Sequence, residues 1–178
     1  MKKTAFIFMA CVVLSSGVSG EVYEVSKSFY TLIRDDAKEV VIDPKTQLMW
    51  QDDASVKSVK KNWQGARDYC SALRFAGYDD WRLPKRLELS SITDKSKEKP
   101  AIKAKFANVV SDRYWSSSSY VSNAGYAWRV YFYNGYDRAG NKSDEYYVRC
   151  VRDSDTLSID SFATLYEGVL EQTMASLP

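Results

Sequence analysis

Two cysteines constrain this chain more than any other residues. Cys70 and Cys150 stand about 80 positions apart, and the third cysteine, Cys11, falls inside a leader-like segment. In a compartment that permits disulfides, two cysteines without a leftover point to one bridge. Such a bridge closes a loop of about 80 residues, worth roughly 4 kcal/mol in the chain-entropy description. The alternative is a pair of buried free thiols.

The compartment follows from the first twenty residues. "MKK" supplies a positive start, Ala5 to Leu14 an apolar stretch, and "SSGVSG" a run of small residues. That is the pattern of a secretory signal peptide, too short to act as a membrane anchor. Cleavage is expected after Gly20, which places the mature chain outside the cytoplasm, in the periplasm or at the cell surface. The mature protein is expected to be peripheral to the membrane unless Cys11 is lipidated, which is the rival reading. Of the 25 basic residues, Lys2 and Lys3 leave with the leader, so the remainder balances the 23 acidic residues. A neutral exported chain gives no reason to expect a nucleic-acid partner.

Four segments are expected: signal peptide 1–20, N-terminal extension 21–39, one domain over 40–152, and an acidic tail over 153–178. The extension holds an edge strand around Phe29 to Arg34. Val40–Ile42 and Leu48–Trp50 flank the turn "DPKTQ" and predict a hairpin. Trp63, Ala66, Cys70 and Leu73 recur at helical spacing, with Gly77 as a cap. A second short helix begins near Pro84 and buries Leu87 or Leu89 together with Ile92. A lysine-rich connection (95–105) follows, and then strands over Tyr114–Ser117, Ala127–Tyr133 and Tyr146–Val151. Asn134-Gly135 predicts a two-residue hairpin turn, and "DRAGNKSDE" a loop. Two helices before a block of antiparallel strands make an α+β arrangement. In the tail, Phe162, Leu165, Tyr166, Val169 and Met174 share one helical face, so residues 160–175 are expected to form an amphipathic helix. It folds back on its own domain or docks on a partner.

The stretch "GYAWRVYFYNG" poses the functional question. In a strand, Tyr126, Trp128, Val130 and Phe132 point one way, while Ala127, Arg129, Tyr131 and Tyr133 point the other. The first set is an expected core face; the second is aromatic and basic. Tyr and Arg are enriched at binding hot spots, so Arg129, Tyr131 and Tyr133, joined by Tyr136 and Tyr147, form the candidate ligand-binding set. The lysine run 95–105 is a second, weaker candidate for an anionic polysaccharide.

Catalysis is not expected. The chain has no histidine, which removes the commonest general base and the commonest metal ligand. Asp52/Asp53, Asp79/Asp80 and Asp144/Glu145 are adjacent acids that a glycosidase reading would need, but neighbouring acids usually shape turns and pair with cations. Arg82 in "DDWRLP" is expected to pair with Asp79, Asp80 or Glu88, with Trp81 and Leu83 in the core. No metal and no cofactor are expected.

The ordered blocks "VVIDPKTQLMWQDD", "NWQGARDYCSAL", "GYDDWRLPKRLELSSI", "RYWSSSSY", "YAWRVYFYNG" and "EYYVRCVR" resemble the Lcl C-terminal domain family of bacterial collagen-like adhesins. The resemblance implies a C-type-lectin-like fold, in which a cysteine of the first helix pairs with one of the last strand, here Cys70 with Cys150. The lectin calcium motifs Glu-Pro-Asn, Gln-Pro-Asp and Trp-Asn-Asp do not occur in this sequence, so the resemblance carries no calcium site with it. It implies an adhesion-type module that binds a surface glycan or an envelope or host component. The alternative is a structural subunit of a cell-envelope assembly (pilus, flagellar or secretion apparatus), docked through the helix at 160–175.

Overall fold

The structure, a computed structural model, describes residues 31–154. The leader, most of the N-terminal extension and the amphipathic segment 160–175 lie outside the described residues.

The expected hairpin is present. β2 (Val40–Asp43) pairs antiparallel with β3 (Leu48–Gln51), from Val40 opposite Gln51 to Asp43 opposite Leu48. The Asp43 carboxylate closes the turn by accepting from the Lys45 and Thr46 backbone N–H groups, at 3.0 and 3.4 Å. β1 (Ile33–Asp35) adds to one side and β9 (Val151–Asp153) to the other, in the order β1-β2-β3-β9. All of β3 is buried. Its Leu48 and Trp50 enter one core cluster with Val41, Leu89, Ile92, Tyr114 and Phe132. Its Met49 enters another with Val40, Trp63, Cys70, Trp81 and Trp115. A strand covered on both faces reads as a continuous apolar run, as "LMW" does.

α1 (Trp63–Ala72) buries Trp63, Ala66 and Cys70, and the Asn62 side chain caps it by accepting from the Gly65 N–H at 2.8 Å. Gly77 is not its cap. The helix stops at Ala72, and Gly77 (φ 86°) instead turns the loop in which Phe75 and Tyr78 exchange backbone hydrogen bonds. In α2 (Arg86–Ser91) Leu89 is buried, Ile92 is buried just past its end, and Leu87 is 72 % exposed. Cys70 and Cys150 are bonded, with Cα atoms 5.5 Å apart, tying α1 to the entry of β9.

The second sheet runs β4 (Lys60–Lys61), β8 (Tyr146–Tyr147), β5 (Arg113–Ser119), β6 (Tyr126–Tyr131), β7 (Tyr136–Asn141). Its pairs are antiparallel except β5 with β8. Three expectations are corrected here. The segment 137–145 is not a loop throughout, because β7 pairs with β6 from Tyr126–Asn141 to Tyr131–Tyr136. The hairpin loop is four residues long, Phe132 to Gly135, not the pair Asn134-Gly135. The Phe132 N–H donates to Asp112 and its carbonyl accepts from Ala101, so its backbone is taken by other segments and its side chain lies in the core. Residues 146–151 do not form one strand: Val148, Arg149 and Cys150, all buried, cross from β8 in one sheet to β9 in the other.

The described residues thus make an α+β fold, with two α-helices, largely antiparallel sheets and one disulfide. The crossover also carries a buried ion pair. Arg149 and Asp52 are both fully buried and meet at 2.8 Å. Arg149 donates also to the Gln51 and Asn108 carbonyls, and Asp52 accepts from the Ala107 and Asn108 N–H groups and from Arg34. A buried charge is tolerable only when it is paired and hydrogen-bonded in this way.

Candidate functional site

Residues directly opposite one another in a sheet share a face. Arg113, Tyr131 and Tyr136 form one row across β5, β6 and β7, and Trp115, Arg129 and Arg138 form the next. The opposite face carries Tyr114, Val130 and Asp137 in one row, against the core and α2. The alternation read from the sequence therefore holds for Arg129 and Tyr131. What fails is the burial expected from it: Ala127 shares the face of Arg129 yet is fully buried in the second core cluster, and Trp128 is only half-buried beneath Arg86, whose guanidinium lies 4.3 Å from the ring centroid.

The structure brings together four of the five candidate residues. Tyr131 and Tyr133 stack at 5.4 Å with ring planes 21° apart, Tyr136 stands opposite Tyr131, and Arg129 lies in the adjacent row. Tyr147 is elsewhere. It pairs with Tyr114 across β5 and β8 and stacks on that buried ring at 5.3 Å, so it faces the core side. Its neighbour Tyr146 occupies the basic face instead, 4.5 Å from Trp115 and beneath Arg129 at 5.0 Å. Sequence alternation narrowed the choice without making it: of two adjacent tyrosines in a strand, only one can share a face with Arg129.

Each tyrosine on this face meets a cation. Arg113 lies over Tyr131 at 5.0 Å, Lys99 over Tyr133 at 5.0 Å and Lys95 over Tyr136 at 5.3 Å. The lysine run and the aromatic face, read as separate features of the sequence, meet here. The segment is no plain connection: Ala101, Ile102 and Phe106 are buried, and Lys99 and Ala101 donate backbone hydrogen bonds to Tyr133 and Phe132. Anchored so, it lays Lys95 and Lys99 on the hairpin loop. The hydrogen bond with the Tyr133 side chain raises the pKa of Lys99, and the charge is retained.

Arg129 is the most constrained cation of the group. It forms no ion pair among the described residues, and burial, with the charge of Arg113 beside it, lowers its pKa from the ordinary arginine value. The Nε atoms of Arg113 and Arg129 are buried without a hydrogen-bond partner among the described residues. The nearest acids are engaged: Asp112 with Arg113 at 3.5 Å, and Asp144 with the Tyr146 hydroxyl at 2.7 Å. Burial, and then that bond to Asp144, raise the Tyr146 pKa, so its hydroxyl remains a donor. Gly140 makes room for this arrangement. A Cβ there would lie 2.8 Å from Tyr146 Cε2 and 2.9 Å from Arg129 Nε.

The adjacent acids are held by the fold. Asp52 belongs to the buried Arg149 pair, Asp53 accepts from Gln51 and Ser55, and Asp80 receives both arms of Arg152 at 2.6 and 3.0 Å. Asp79 lies 3.7 Å from Arg74, Asp144 is bonded to Tyr146, and Glu145 is exposed. Arg82 takes Glu88, of the three acids expected, through a two-point bridge, and adds Asp153.

Residues 39–152 match the profile of the Lcl C-terminal domain. The chain belongs to the Lcl C-terminal domain family. No curated protein matches it. The match begins one residue before the domain start expected from the sequence and ends at the same residue. Both sheets, both helices and the disulfide lie inside this Lcl C-terminal domain, apart from β1 and the last residue of β9.

Proposed function

We propose that this Lcl C-terminal domain is an exported binding module of C-type-lectin-like build, and that it recognises a surface glycan or an envelope component in an adhesion-type role. Export rests on the leader pattern of residues 1–20, and the disulfide suits an oxidising compartment outside the cytoplasm. The observation that carries the binding reading is the face formed by Arg129, Tyr131, Tyr133 and Tyr136, with Tyr146 in place of Tyr147. It combines stacked tyrosines with five cations (Lys95, Lys99, Arg113, Arg129 and Arg138). Tyrosine rings stack on sugar rings, and arginine guanidinium groups suit a ligand that brings oxygen acceptors. The cations favour an acidic glycan over a neutral one.

The test is a glycan array with the mature protein, followed by titration of the best hit with Arg129→Ala/Tyr131→Ala. Loss of at least tenfold in affinity, with the disulfide intact and cooperative unfolding retained, supports the reading. Unchanged affinity of the double variant would remove this face from recognition.

A further inference from the structure

A different part of the molecule carries a second surface. Ser154, the last described residue, is still held on the domain, its N–H donating to the Gln47 carbonyl at 2.8 Å. It lies on the rim of a hollow of about 610 Å³ between the β2–β3 turn and α2, floored by Leu48 and walled by Leu87 and Glu88. Arg82 and Lys85 line this hollow and also a second one, of about 260 Å³, which reaches Arg67 and Ser71 on α1. The two form one trough that starts where the described chain stops.

The trough has a definite chemistry. Its apolar feature is Leu87, 72 % exposed on a helix whose Leu89 is fully buried. Its charge is unbalanced. Glu88 and Asp153 are both committed to Arg82, while Lys85 and Arg67 form no ion pair among the described residues. An occupant should therefore offer apolar side chains next to carboxylates.

The 24 residues after Ser154 have that composition. Asp155, Asp160, Glu167 and Glu171 are their charged residues, with no Lys or Arg, and Phe162, Leu165, Tyr166 and Val169 recur at helical spacing. As a helix, 160–175 would measure about 24 Å, enough to run along both hollows. We infer that residues 155–178 fold back into this trough, placing their apolar face on Leu87 and their acids beside Lys85 and Arg67. The tail is then a strap over α2 and β9 of its own domain. This inference does not rest on the aromatic–arginine face.

The experiment uses the full mature chain carrying Leu87→Cys and measures how fast a maleimide labels that thiol under native conditions. With the strap in place, labelling is at least tenfold slower than in the same chain with Leu165→Asp and Val169→Asp added. Lys85→Glu, which repels the acids, should raise the rate at least threefold in the unaltered tail. Equal rates with and without the tail substitutions would overturn the inference. Protection that grows with protein concentration would also overturn it, because the tail would then be docking on a second copy. Binding of a glycan to the other face is measured separately, so failure of either proposal leaves the other standing.

Discussion

Gly140→Ala is the sharpest probe of how the candidate face is built. A Cβ at this position would meet Tyr146 Cε2 at 2.8 Å, Arg129 Nε at 2.9 Å and Arg129 Cδ at 3.0 Å. None of these atoms has free room to retreat. The Tyr146 ring packs on Trp115 at 4.5 Å, and the Arg129 guanidinium lies over that same tyrosine. Overpacking of one methyl group costs about 1–3 kcal/mol. Displacing Arg129 forfeits a half-buried cation–π contact worth about 0.5–1 kcal/mol. A destabilisation of about 1.5–4 kcal/mol is therefore expected in urea unfolding at neutral pH. Arg129→Ala removes two of the three clashing atoms, so Gly140→Ala should cost less in that background, with a coupling of about 0.5 kcal/mol or more. Affinity for any ligand of the face should fall with the displaced arginine. Stability within about 0.5 kcal/mol of the parent, or strict additivity with Arg129→Ala, would show that the glycine is not there to admit Arg129 and Tyr146.

Two further perturbations test the frame behind the face. Arg149→Met removes one partner of the fully buried pair with Asp52 and should cost about 3–5 kcal/mol in urea unfolding; a cost below about 1 kcal/mol would mean that Arg34 alone suffices for Asp52. Burial pushes the Tyr114 pKa up to about 12, so the folded state holds its phenolic proton more tightly than the unfolded chain does. The stability from this group is fully present below the unfolded tyrosine value near pH 10 and is lost as the pH rises to 12, a decline on the order of 2–3 kcal/mol. Tyr114→Phe should flatten that limb of the stability–pH curve, and an unchanged slope would place the effect on other tyrosines.

Local patterns were legible wherever neighbours in sequence decide the outcome. The hairpin of Val40–Asp43 and Leu48–Gln51, the helix carrying Trp63, Ala66 and Cys70, and the pairing of the two cysteines were all readable. Each depends on periodicity, a turn or a count. β7 was misread because "DRAGN" has the composition of a loop, and its strand character comes from a ladder with β6 rather than from its own propensity. The 146–151 segment was misread because "YYVRCV" is strand-like in composition throughout and does not show where a chain changes sheets.

By itself, the sequence established the family, the α+β class, the disulfide and the alternation that sets Arg129 and Tyr131 apart from Val130. These follow from short-range geometry and from composition. Only the tertiary structure decided that Tyr146 and not Tyr147 belongs beside Arg129, and that Lys95 and Lys99 lie over Tyr136 and Tyr133. It also decided that Asp52 is consumed by a buried arginine. Those outcomes depend on strand register and on contacts between segments far apart in the chain. A one-residue change in register would carry every side chain of a strand to the opposite face, and that register is fixed by packing across the whole core.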